Sequence, residues 1–165
     1  MAAPDKIRIP YQNFDGARFD CIGRYAGGNQ FMAFVTGAFP GEERYPNPDS
    51  NWRETKRWVA VLHKFDPEGN HIGSESRLGG FDAEGRQLSG GKALQRLAQM
   101  LQESGLENAE PCDIYIKPFS VEIDDVTYEL VYERDTEDGD EHEYVMLWPN
   151  DIMFHPPWDS GKYST

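Results

Sequence analysis

The stretch Arg57-Trp58-Val59-Ala60-Val61-Leu62-His63-Lys64-Phe65 constrains the fold more than any other. Its odd positions carry Val59, Val61 and Phe65, and its even ones Trp58, Ala60 and Leu62. Both faces of an extended chain would then be apolar in the middle, which fits a strand covered on both sides. Asp66-Pro67-Glu68-Gly69-Asn70 follows as turn chemistry, and the chain from His71 to Ser76 can return alongside. This ribbon is the expected centre of a sheet.

Upstream, Phe19 to Tyr25 and Gln30 to Thr36 read as two strands. Ala26-Gly27-Gly28-Asn29 between them tolerates the positive φ of a tight turn. The chain before them, residues 1–18, reads as an N-terminal arm with a short edge strand at Ile7-Arg8-Ile9. Pro40, Pro46 and Pro48 exclude helix and sheet interior over residues 40–51, so this span is expected to be a surface loop and a candidate binding edge.

One helix is expected, over about residues 91–104, after a loop containing Gly79-Gly80 and Asp82 to Gly85. Leu94, Leu97, Ala98 and Leu101 would form its apolar stripe, with Ser89 as N-terminal cap, Gly105 as left-handed terminator and Met100 as packing. Beyond it, Ile114 to Lys117, Val121 to Ile123, Val126 to Tyr132 and Tyr144 to Trp148 read as strands. Asp124-Asp125 supplies a two-residue hairpin turn. Residues 149–165 read as a Pro- and aromatic-rich tail without periodicity. The expectation is a single domain over residues 1–165, of α+β class. A mainly antiparallel, twisted sheet of about six or seven strands would pack on the one principal helix.

Charge narrows the function classes. With 29 acidic against 16 basic residues and a net charge of −13, the chain lacks the basic footprint of direct nucleic-acid binding, and anionic membranes would repel it. No uninterrupted apolar run is long enough for a membrane helix, and Met1 to Lys6 does not open a signal peptide, so a cytoplasmic location is expected. Cys21 and Cys112 form no short-spaced disulfide or zinc pattern. No catalytic, cofactor-binding or metal-binding set, and no cofactor, is assigned.

Three places remain where chemistry could lie. The acidic stretch from Glu133 to Glu143, read as a loop, offers Asp135, Glu137, Asp138, Asp140 and Glu141 as a protein-binding surface, for which a basic partner suits the charge. It lacks the glycine spacing and flanking helices of an EF-hand. In the tail, Trp158 either packs back on the sheet or serves as an interface anchor. His63, on the central strand, and His71, across its turn, could face one another near Asp66 or Glu75, as in a hydrolase or metal-dependent enzyme, yet no HExxH or GxSxG motif supports them. Ser89-Gly90-Gly91-Lys92 lacks the spacing of a phosphate loop.

Ile22-Gly23-Arg24-Tyr25, Gln30-Phe31 and Ala38-Phe39-Pro40 are followed by Val61 to Asp66 with Gly69 and His71. Lys117-Pro118-Phe119 and Pro157-Trp158-Asp159-Ser160-Gly161 come later. Together these short motifs, spread over most of the chain, resemble a family of small bacterial proteins labelled formate hydrogenlyase regulatory protein HycA-like. The resemblance implies a cytoplasmic regulator, by its label a transcriptional repressor, and carries over no catalytic residue. The residues themselves offer no helix-turn-helix pair and no basic face for DNA. The expectation is a non-catalytic acidic regulator that binds a protein partner; the alternatives are an immunity-type inhibitor of a basic toxin and a small enzyme built on His63 and His71.

Overall fold

A computed structural model describes residues 3–11, 19–41, 44–137, 139–156 and 158, less the side chains at 137, 140 and 142. The chain is α+β, with antiparallel sheets and one main helix. Its eleven described strands are shared among three sheets rather than gathered into one. In chain order they are β1 (Ile7–Ile9), β2 (Cys21–Tyr25), β3 (Asn29–Ala38), β4 (Arg57–Phe65), β5 (His71–Phe81), β6 (Glu110–Pro111), β7 (Ile114–Ile116), β8 (Phe119–Ile123), β9 (Val126–Glu137), β10 (Asp140–Trp148) and β11 (Ile152–Phe154). A short helix α1 (Trp52–Thr55) precedes β4, and α2 (Arg86–Glu103) follows β5.

The five-stranded sheet runs β5-β4-β3-β2-β6, and β4 sits inside it as its two-sided apolar pattern requires. Val59, Val61 and Phe65 join the layer shared with the four-stranded sheet β11-β10-β9-β8, while Ala60 and Leu62 join the layer under α2. The larger inner layer also takes Phe34, Tyr128, Leu130 and Phe154, with Ile7, Ile9, Ile114 and Ile116 from the β1-β7 ribbon. A side chain such as Phe34, 1% exposed, contributes roughly 2–3 kcal/mol by leaving water. Gln30 fixes the ribbon to the sheet: its amide donates to the Asp66 and Tyr115 carbonyls at 3.1 and 3.0 Å and accepts from Tyr115 N–H at 2.8 Å.

Several expectations change. Helix α2 starts before Gly90 and Gly91, which lie inside it, and Ser89 is no cap. Its hydroxyl is buried and donates to the Phe81 carbonyl at 2.7 Å. The buried face is Ser89, Ala93, Leu97 and Met100, whereas Leu94 is 49% exposed and Ala98 also faces outward. The cause is Gly79 and Gly80, which belong to strand β5 rather than to a loop. A Cβ on Gly79 would stand 2.5 Å from Ala93 N and 2.6 Å from Ser89 O, so the helix rests on bare sheet backbone through its small residues. Close approach, not side-chain hydrophobicity, sets its rotation.

The acidic stretch is not a loop. Strands β9 and β10 run through it, pairing Arg134 with Glu143 and Asp135 with His142 up to the turn at Gly139 (φ 82°). Arg134 reaches Glu141 at 3.2 Å and Glu143 at 3.5 Å, so opposite charges across the ladder offset part of the repulsion. The tail also contains a strand: Ile152 to Phe154 pairs with Val145 to Leu147 as β11. Asp124 and Asp125, with φ of 51° and 67°, make the expected tight turn.

Candidate functional site

Near the N-terminal end of β4, residues of the five- and four-stranded sheets and described residues of the proline-rich loop line one opening. The result is a cleft of about 450 Å3. Strands β3 and β4 supply Gly37 and Trp58, the loop Phe39 and Tyr45, and the β10–β11 turn Trp148 and Asp151. This size and aromatic lining suit a small ligand or a few residues of a partner chain.

Two cations line the cleft, in different states. Arg44 lies 4.2 Å above the Trp148 ring and forms ion pairs with Glu129 and Glu133. Lys56 has aromatic partners instead: its ammonium lies 4.7 Å from the Trp58 ring centre, 5.7 Å from Trp52 and 5.9 Å from Phe39. Among the described residues no carboxylate lies within 4.0 Å of it. The lysine stem crosses the open face of Gly37, where a Cβ would stand 2.6 Å from Lys56 Cε. Facing this corner, Tyr45 donates its hydroxyl to Asp151 Oδ1 at 2.9 Å and sets its ring edge-on to Trp148 at 5.8 Å. Burial, followed by the bond to Asp151, pushes the Tyr45 phenol up. Tyr45 is nevertheless 70% exposed, a large ring on the rim.

At the other end of β4, His63 and His71 do come together, through Ser74. His63 Nδ1 lies 2.5 Å from Ser74 Oγ, and His71 Nε2 lies 2.7 Å from the same oxygen. One hydroxyl proton serves one contact, so the other imidazole donates to the oxygen. A proton on His63 Nδ1 satisfies both contacts and leaves Nε2 a bare lone pair, the buried His63 atom without a partner. Phe34, Phe119 and Tyr128 surround that ring at centroid distances of 5.5, 4.9 and 5.8 Å. Burial, then the neighbouring His71, pushes the His63 pKa down to about 3. Burial also lowers His71, whose ring stacks on Phe119 at 4.9 Å.

His63 is therefore neutral and has no surface exposed to a substrate. The carboxylates expected beside the pair are engaged elsewhere. Asp66 holds its own turn through Glu68 N–H and Asn70 N–H at 3.0 and 2.8 Å, and Glu75 faces Arg77 on the helix side. Among the described residues no group of three His, Cys, Asp or Glu side chains is placed to hold a metal ion. Chemically the cluster is a closed hydrogen-bonded link between β4 and β5.

The sequence-derived surface residues lie apart from both places. Asp135 and Glu141 are exposed on the β9–β10 hairpin; Asp138 and the side chains of Glu137 and Asp140 lie outside the described residues. Trp158 is 6% exposed and packs in the inner layer, so it is not an exposed anchor; its indole area is better matched by the apolar core than by water. Cys21 and Cys112 are free thiols, and burial followed by the Asp20 charge pushes Cys21 up, away from the reactive thiolate.

Lys56, Trp58, Trp148 and Tyr45 were not singled out by sequence. Their signal was indirect: three prolines beside a dense run of aromatics and cations between Phe39 and Trp58. No helix among the described residues is long and apolar enough to cross a membrane. No family model, no curated protein and no solved structure matches the chain.

Proposed function

We propose that the protein is a non-catalytic binding protein, a regulator by contact, and that it takes a segment of a partner protein into the cleft under the proline-rich loop. The observation that carries this reading is Lys56: a half-buried lysine with no carboxylate partner among the described residues, in a chain with 13 excess negative charges, lining the aromatic-walled cleft. A charged group held by rings on one side is complete when something else meets the other. The acidic hairpin adds long-range steering of a net basic partner rather than the contact itself. Regulation in the cytoplasm, which the family resemblance implies, is compatible with such a module and requires no contact with DNA.

Affinity purification of tagged protein from its native cells, run beside a Tyr45→Ala variant and a hairpin variant Asp135→Asn/Glu141→Gln, tests the reading. The expected result is one stoichiometric partner whose affinity falls about tenfold in Tyr45→Ala, as for an aromatic anchor, and changes less in the hairpin variant. Loss with the hairpin variant but not with Tyr45→Ala moves recognition to the acidic surface and overturns the cleft. The absence of any stoichiometric partner overturns the binding reading.

A further inference from the structure

We infer that the cleft captures the C-terminus of a polypeptide: its terminal carboxylate against Lys56, its last peptide N–H toward the Asp151 side, and its final side chain between the aromatic walls. The inference rests on the cleft being the recognition site and adds the chemistry of its occupant.

Among the described residues, four charged side chains line the cleft: Arg44, Lys56, Glu129 and Asp151. Arg44 is already engaged by two carboxylates, Glu129 in the cleft and Glu133 beside it at 3.4 Å. Among the described residues Lys56 has no carboxylate within 4.0 Å, and Asp151 has the neutral Tyr45 hydroxyl rather than a cation. Among the described residues this leaves Lys56 as the cation with no carboxylate and Asp151 as a carboxylate with no cation, one at the start of β4 and the other in the β10–β11 turn, on a single opening. A complementary ligand presents an anion and a hydrogen-bond donor, with apolar area beside them.

The field of the whole molecule then decides among carboxylate sources. A strongly acidic segment would be repelled by a body of charge −13 before it reached Lys56. A chain terminus supplies one carboxylate with no further acid, adjacent to a peptide N–H, and can belong to a basic partner. Phe39 and Trp58, both half-buried, offer apolar area to the last residue, while the Trp148 ring, 7% exposed with Arg44 over it, backs the cleft. Capture of terminal carboxylates is a recurrent mode of peptide recognition, and here a lysine pre-positioned by three rings stands in for the backbone amides more often used.

The test uses defined fragments titrated into the full chain, read from the tryptophan indole N–H signals. The probes are N-acetyl-L-phenylalanine as the terminus, its primary amide without the carboxylate, 3-phenylpropionate without the N–H, and the α-amide of N-acetyl-L-aspartate as a side-chain carboxylate. Glucuronate is a non-peptide acid control. The expected result is saturable movement of the Trp58 and Trp148 indoles by N-acetyl-L-phenylalanine, with every other probe weaker by about fivefold or more. Lys56→Met, which keeps the stem over Gly37 and the apolar contacts, should bring the acid and its amide to the same weak affinity without changing thermal stability.

Equal binding of acid and amide to the natural chain overturns the inference, as does equal binding of the aspartate or glucuronate probe. Failure of every probe to move either indole overturns it too. Tyr45→Ala in the partner experiment separates the two levels. If the partner still depends on Tyr45 while the terminal carboxylate makes no difference, the cleft remains the recognition site and its occupant is of another kind.

Discussion

The histidine cluster and the Lys56 cleft are built from the same materials, nitrogen bases or cations set against aromatic rings, and they lie toward opposite ends of one strand. They differ in what completes them. Around His63 the chain closes the site: Ser74 satisfies Nδ1, three rings fill the space around the unpartnered Nε2, and the imidazole gives up its proton to stay there. Around Lys56 it supplies rings and stops; the ammonium keeps one side toward an open cleft. A polar group sealed in a core is a structural commitment, whereas one held in place and left uncompensated at an opening is a point of attachment.

If that distinction holds, damage to the two regions should differ in kind. Phe119 stacks on His71 and meets His63 and Phe65 edge-on at 4.9 and 5.2 Å, while itself 8% exposed. Phe119→Ala is expected to cost about 3–5 kcal/mol, because a large void would open among groups that cannot follow the missing ring. Tyr45→Ala, at the cleft rim, should stay within about 1 kcal/mol. Urea denaturation of the two variants gives the comparison directly; similar losses would mean that the rim is as integral to the fold as the core.

The next effect is a pH dependence confined to the sealed cluster. His63 has a folded pKa near 3 against an ordinary value of 6.5, so the folded state resists a proton that the unfolded chain accepts. The stability gained from keeping it neutral is complete above pH 6.5 and is lost progressively as the pH falls toward 3. Between pH 6.5 and pH 5 the expected loss is about 2 kcal/mol. His71, also lowered by burial, acts in the same direction. Denaturation midpoints across that range should fall in the natural chain and fall much less in His63→Leu, which fills the site without a titrating group. Parallel slopes for the two proteins would assign the acid sensitivity to other groups.

What the sequence disclosed follows the same division between inward and outward interactions. The β4 pattern was legible because burial on two faces leaves apolar residues at consecutive positions, and the Asp124-Asp125 turn because positive φ restricts residue choice. The rotation of α2 was not, since it depends on Ser89 and Ala93 meeting the backbone of Gly79 and Gly80, a fit in which small size matters and hydrophobicity does not register. The acidic hairpin read as a loop because its charges concealed an alternation completed by cross-strand pairing. The His63–His71 proximity was visible from hairpin register, but the serine between them was not. The cleft was least legible: its walls come from the two sheets and the intervening loop, and no single stretch carries its pattern.

The smallest effect in stability sharpens the comparison most. At Gly37 an added methyl would meet Lys56 Cε at 2.6 Å and Nζ at 3.3 Å, the far end of a flexible side chain that can swing toward the cleft. At Gly79 the same methyl would meet the main chain of α2, with Ala93 N at 2.5 Å and Ser89 O at 2.6 Å, and neither atom can leave without the helix. Gly79→Ala should therefore lose about 1–3 kcal/mol as an overpacked contact. Gly37→Ala, in an extended strand that alanine adopts readily, should change stability by no more than about 0.5 kcal/mol, part of it a gain from the stiffer unfolded chain. Its signature lies elsewhere: the Trp58 indole resonance should shift as the ammonium leaves the ring, with the melting curve nearly unmoved. A Gly37→Ala protein as damaged as Gly79→Ala would show that Lys56 is locked into the fold like His63, and the contrast between a sealed cluster and an open one would fail at its most sensitive point.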